Sequence, residues 1–160
     1  FDFSDKRQPT ADEVRQAITE QITGMLEPPI SNFGVKGIRK AAKRTLKWPD
    51  QMDEDELRFT LFNTFIFIDA EGGTGGGIFR YMFSRFLREA AEITGEGRLV
   101  TSAEAFHHIG DRWQEVAEIF KQGWDAGDPV AVLAETTAPL KDIADLEEAA
   151  WTGLRQVVAG

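Results

Sequence analysis

The sequence predicts an all-α fold, a single-domain bundle of about six or seven helices, and three observations carry that reading. Apolar residues recur at intervals of three and four along most of the chain. Pairs with capping-box spacing, a Thr or Asp followed three places on by Glu, open several of these runs. No two alternating runs read as a paired set of strands. With 160 residues, 42% of them hydrophobic, the chain closes one core and buries roughly two thirds of its unfolded surface. Residues 11–160 read as one helical domain and residues 1–10 as an N-terminal extension or linker. The start at Phe1 reads as an excised or processed piece of a longer protein.

Each helix has its own justification. Thr10 and Glu13 precede Val14, Ile18, Ile22 and Met25, a helical stripe that Pro28 and Pro29 stop. Val35, Ile38, Ala41, Ala42 and Leu46 then form a narrow stripe on a second helix, which Trp48 and Pro49 end. Asp53 and Glu56 open a third, whose Leu57, Leu61, Phe65 and Ile68 line one side. The run from Phe59 to Ile68 also suits a strand, and the neighbouring helices favour the helix. A fourth carries Phe79, Met82, Phe83, Phe86, Leu87 and Ala90 on a wide apolar face closed by Gly95 and Gly97. Thr101 and Glu104 read as the capping box of a fifth, lined by Phe106, Ile109, Trp113, Val116, Ala117 and Phe120 and ending at Gly123. Asp128 and Pro129 open a short helix. Thr137 and Pro139 do the same for the last one, where Ile143, Leu146, Ala150, Trp151, Leu154 and Val157 face inward.

Composition removes several function classes. There is no cysteine, so a thiolate nucleophile and a disulfide framework are absent. The net charge of -9 argues against general nucleic-acid binding. The longest fully apolar run, Phe65 to Ile68, falls far short of the ~20 residues of a membrane helix, so we expect no membrane contact, and the lack of cysteine fits a reducing cytoplasm. His107 and His108 are adjacent on a helix and point about 100° apart, which disfavours joint chelation of a metal. No serine or threonine stands in a nucleophile setting, and we expect neither catalytic residues, metal nor cofactor in this chain.

Two stretches invite a functional reading. Between the third and fourth helices, Glu71 is followed by Gly72, Gly73, Thr74, Gly75, Gly76, Gly77 and, beyond Ile78 and Phe79, by Arg80. A glycine-rich segment before a helix permits a close helix crossing, and it also exposes backbone N–H groups that bind anions. Gly73, Thr74, Gly75, Gly76, Gly77, Arg80 and Glu71 are therefore candidate ligand contacts, with tight packing as the competing explanation. The run lacks a Walker lysine and the dinucleotide fingerprint. Arg80 stands in a first helical turn, where a cation opposes the helix dipole, so we expect an anionic partner: Asp69, Glu71 or a ligand. The other stretch is basic. Lys36, Arg39, Lys40, Lys43, Arg44 and Lys47 fall within twelve positions that hold no acid, and with Trp48 they form either a solvated face or a docking surface for an acidic partner.

The segment Pro28-Pro29-Ile30-Ser31-Asn32-Phe33-Gly34-Val35-Lys36-Gly37-Ile38, then Trp48, then Gly73 to Met82, Phe86-Leu87-Arg88-Glu89-Ala90-Ala91 and Trp113, resembles the helical C-terminal domain of proteins similar to butirosin biosynthesis protein H. The resemblance covers roughly Ala11 to Phe120, and its specific part is the glycine-Phe-Arg run followed by Phe-Leu-x-Glu-Ala-Ala. It implies an upstream papain-like domain that holds the nucleophile of an aminoacyl transfer from an acyl carrier protein. It further implies an accessory role for this chain, completing the substrate cleft or docking the carrier. No catalytic residue carries over. A free-standing anion or small-ligand binding module and a purely structural or oligomerisation domain are the rival readings.

Overall fold

A computed structural model describes residues 7–69, 71 and 75–160. Among them the chain forms seven α-helices: α1 Ala11–Leu26, α2 Gly34–Arg44, α3 Glu54–Ile68, α4 Gly76–Thr94, α5 Arg98–Asp125, α6 Pro129–Glu135 and α7 Thr137–Ala159. A 3-10 turn, Thr45–Asp50, follows α2. No strand occurs among the described residues, and the Phe59 to Ile68 run is helical.

The caps of α1 and α3 follow the sequence closely. Thr10 and Asp53 each accept the backbone N–H three residues on, while Glu13 and Glu56 reach back to the cap N–H, so two otherwise orphaned donors are satisfied at each helix start. Asp128 caps α6 in the expected way, accepting from Val130 and Ala131, with Pro129 in its first turn. Gly95 closes α4 in the left-handed region at φ 71.

Three boundaries differ from the sequence reading. The α5 helix opens at Arg98, not at Thr101, because the Glu96 carboxylate accepts the Arg98 backbone N–H at 3.0 Å and so performs the capping that Thr101 was expected to provide. It also runs past Gly123 to Asp125. Gly123 lies inside the helix, where a β-carbon would come 3.2 Å from Leu61 Cδ1, so the missing side chain serves packing against α3. The N-cap position of α7 is Thr136, whose helical backbone joins α6 to α7 without an extended residue, and Thr137 caps nothing.

Helix α5 is the central element, packed against α3, α4, α6 and α7, while α7 also covers α1 and α2. Phe106 and Phe120 on α5, Ile18 and Ile22 on α1, Leu61 on α3, Leu87 on α4 and Ile143 and Leu154 on α7 are fully buried. Each such side chain contributes about 1.5–3 kcal/mol of transfer free energy. Phe83, Phe106 and Trp151 form a compact aromatic cluster, with ring centroids 4.5–4.9 Å apart, that joins α4, α5 and α7.

Two expected apolar faces are less buried than their pattern suggests. Leu46 and Ala41 are exposed, and Thr45 takes the buried place at the end of α2 because the chain tightens there into the 3-10 turn. On α4 the covered stripe runs through Gly77, Ser84, Leu87 and Ala90, which leaves Phe79 and Met82 exposed on its flank. Among the described residues no helix is long and apolar enough to cross a membrane.

Candidate functional site

The site begins where α3 ends and α4 starts. Gly76 has φ +46, and a β-carbon there would sit 2.8 Å from the Ile68 carbonyl oxygen, so both backbone conformation and space demand glycine. A β-carbon on Gly75 would meet the Phe67 carbonyl at 2.9 Å, and one on Gly77 the Gln114 Oε1 at 2.9 Å. Tight packing of α4 against α3 and α5 thus accounts for Gly75, Gly76 and Gly77. Gly73 and Thr74 lie outside the described residues. Glu71 is exposed, and its backbone N–H donates to Asp69 Oδ2.

This packing brings Arg80 into the interior. Its carboxylate partner is neither Asp69 nor Glu71 but Glu147, 67 positions away on α7: Arg80 Nε donates to Glu147 Oε1 at 2.5 Å. The Glu147 side chain has no exposed surface, and that of Arg80 only 16%. Two indoles complete the cluster, Trp113 Nε1 donating to Glu147 Oε1 at 3.3 Å and Trp151 Nε1 to Oε2 at 2.7 Å. The Arg80 terminal nitrogens hydrogen-bond to no described residue. Neither is sealed off, since the fully buried unpartnered side-chain atom among the described residues is Thr137 Oγ1.

Sequence reasoning missed Glu147, although a signal existed. It stands four residues after Ile143 and four before Trp151, squarely in the inward register of α7, where an acid needs a buried partner.

Arg80 is among the residues that line a pocket of about 430 Å3 between the α2 end, α3, the α4 start and α5. Its polar lining comes from Arg44, Thr45, Thr64 and Arg80, and its apolar walls include Trp48, Phe67, Trp113, Phe120 and Leu140. Thr45 and Thr64 turn their hydroxyls to the carbonyls of Ala41 and Thr60, so the two guanidinium groups are the charges it presents. Trp48, half-buried, packs on Phe120 with ring centroids 6.2 Å apart. The two stretches singled out in the sequence therefore meet: Arg44 and Trp48 from the basic segment, Gly76 and Arg80 from the glycine segment.

The remaining basic residues divide. Arg39 bridges Asp145 at 2.5 Å and Glu148 at 2.7 Å on α7, and Lys40 donates to Asn32 Oδ1 at 2.5 Å, so both brace the fold. Lys36, Lys43 and Lys47 are exposed and, like Arg44, pair with no acid among the described residues. His107 and His108 are exposed as well. The His107 ring packs against Tyr81 at 4.9 Å, and no group of three His, Asp or Glu among the described residues is placed to hold a metal ion.

Tyr81 locks α4 to α5 beside this site. Its hydroxyl donates to Asp111 Oδ1 at 2.7 Å, and its ring lies where a β-carbon on Gly110 would come within 2.7 Å. Burial, reinforced by the Asp111 carboxylate, pushes the phenol up to about 12.

No curated protein and no solved structure matches the chain. A family model matches residues 1–154, and the chain accordingly belongs to the family described as Domain of unknown function (DUF4872).

Proposed function

We propose that the chain is a non-catalytic accessory domain of an acyltransferase similar to butirosin biosynthesis protein H, that it docks an acidic acyl carrier protein on α2 and that it supplies one wall of the substrate cleft. An upstream papain-like domain provides the nucleophile in this reading. The observation that carries it is the position of the unpaired cations. Lys36, Lys43, Arg44 and Lys47 are exposed on or just after α2 in a chain of net charge -9, and Arg44 links that face to the pocket at Arg80. Cations left without internal acids attract an acidic surface at long range, and salt screens the attraction. Exposed Leu46 adds an apolar contact within the same face.

The test is calorimetric titration of the chain with an acidic holo acyl carrier protein at low and high salt. Docking predicts saturable binding that weakens with salt and disappears when Lys36, Lys43 and Lys47 become Glu. Binding that ignores both changes, or no binding, removes the docking role. A second reading, a small-anion binding module, is favoured by one observation of its own: Arg80 lines the pocket, and its terminal nitrogens bond to no described residue.

A further inference from the structure

We infer that the pocket between the end of α2, α3 and the start of α4 is a binding site for a small monoanionic carboxylate with an aromatic or branched apolar body. The inference does not depend on carrier-protein docking, because it rests on the pocket alone.

The shape and lining set the first requirement. A pocket of about 430 Å3 lies within the range of roughly 300–1,000 Å3 typical of small-molecule sites, and such sites combine apolar walls with a few placed polar groups. Here Trp48, Phe67, Trp113 and Phe120 furnish the walls, and an apolar body displaces water from them with a gain proportional to the area covered.

Charge sets the second requirement. Arg80 is held by Nε on Glu147, which fixes the plane of its guanidinium and leaves the terminal nitrogens as a fork. A fixed fork matches the two oxygens of a carboxylate, and its donors are pre-ordered before the ligand arrives. The charge of Arg80 is already balanced by Glu147, so the surplus positive charge at the pocket is that of Arg44. One surplus cation balances one negative charge. A phosphate dianion entering the same space leaves a net negative charge against the buried Glu147 carboxylate. The site therefore selects a carboxylate over a phosphate monoester.

The third observation is the energetic state of Arg80. Its side chain is mostly withdrawn from solvent, yet its terminal nitrogens have no protein acceptor among the described residues. These donors keep some access to water, as the absence of either nitrogen from the buried unpartnered atoms shows, so they are free to exchange that water for the two oxygens of a bound carboxylate as a charge-assisted pair.

The experiment titrates 3-phenylpropionate into the chain by calorimetry, with tryptophan fluorescence as a second readout because Trp48 and Trp113 line the pocket. The expected result is saturable binding, with 3-phenylpropanol and phenyl phosphate each weaker by about tenfold or more, the size of one lost charge-assisted contact. Arg44→Gln, at an exposed position, is expected to weaken the carboxylate by about tenfold while leaving the fold intact. Ala41→Phe, also exposed and lining the pocket, is expected to block it. Circular dichroism is the check that both variants fold. Absence of saturable carboxylate binding, equal binding of the alcohol, tighter binding of phenyl phosphate, or indifference to both variants each overturns the inference. Binding of 3-phenylpropionate without any response to carrier protein leaves the inference standing and removes the docking role.

Discussion

Arg80 and Glu147 form a buried ion pair, Nε to Oε1 at 2.5 Å, that joins the N-terminal part of α4 to the middle of α7. Trp113 and Trp151 donate to the same carboxylate, so one side chain on α7 receives bonds from α4, α5 and its own helix. Burying a charge pair costs desolvation on both sides, and three hydrogen bonds offset that cost at Glu147, two to Oε1 and one to Oε2.

Glu147→Leu is therefore expected to destabilise the protein by about 3–5 kcal/mol, since it strands a largely buried guanidinium and two indole N–H groups. Urea unfolding monitored by circular dichroism measures this. The double variant Arg80→Met with Glu147→Leu is expected to recover much of the loss, because no uncompensated charge remains. A double variant no more stable than Glu147→Leu alone contradicts the account of the pair as mutually compensating.

The crossing of α4 and α5 depends on Gly110 for a steric reason. A β-carbon there would lie 2.7 Å from Tyr81 Cε1 and 2.9 Å from two further ring atoms, and the ring is held by its bond to Asp111. Gly110→Ala is expected to cost about 1–3 kcal/mol through overpacking. Gly24→Ala, in α1 with nothing within 4 Å of its β-carbon, is expected to stabilise by roughly 0.5–1 kcal/mol. Melting temperatures of the two variants should move in opposite directions, and a Gly110→Ala protein that melts with the parent shows that the ring yields freely.

Much of the fold was legible before the structure, and particular residues show why the rest was not. The capping boxes at Thr10 and Asp53 are local, involving residues three apart, so sequence spacing predicts them well. The start of α5 failed the same test because Glu96 caps from outside the helix while Thr101 and Glu104 merely share the right spacing. Periodicity also reports which side of a helix is apolar without reporting how wide its neighbours are. On α4 the apolar surface exceeds what α5, α1 and α7 cover, which leaves Phe79 and Met82 exposed. Nearby acids were the natural partners for Arg80, whereas Glu147 arrives through the tertiary packing of α7, which no local pattern encodes. The meeting of Arg44 and Trp48 with Gly76 and Arg80 is likewise a property of the packing.

Thr137 offers a test of a different kind. Its Oγ1 is buried with no hydrogen-bond partner among the described residues, while the neighbouring Thr136 hydroxyl donates to the Leu133 carbonyl at 2.7 Å. An unsatisfied buried hydroxyl costs roughly 1–3 kcal/mol of desolvation, and valine has nearly the same shape without it. Thr137→Val is expected to raise stability by about 1 kcal/mol in urea unfolding, and Thr136→Val to lower it by a similar amount. A loss of stability in Thr137→Val means that the hydroxyl has an acceptor after all.

The Tyr81 phenol makes stability depend on pH in the alkaline range. Its value in the folded protein is raised from the ordinary 10 to about 12, first by burial and then by the hydrogen bond to the Asp111 carboxylate, both of which favour the neutral phenol. The folded state thus holds this proton more tightly than the unfolded state. By linkage the resulting stabilisation is fully present below pH 10 and is lost as the pH rises from 10 to 12. Tyr81 is the sole tyrosine in the chain, so the ultraviolet absorbance of the phenolate reports this residue alone. A titration of the folded protein should show its midpoint near 12, against 10 in urea, with circular dichroism in parallel to mark where the fold is lost. Asp111→Asn should lower the midpoint while leaving it above 10, because the asparagine removes the charge and the burial persists. A folded midpoint at 10 in the parent contradicts the packing of this ring between α4 and α5.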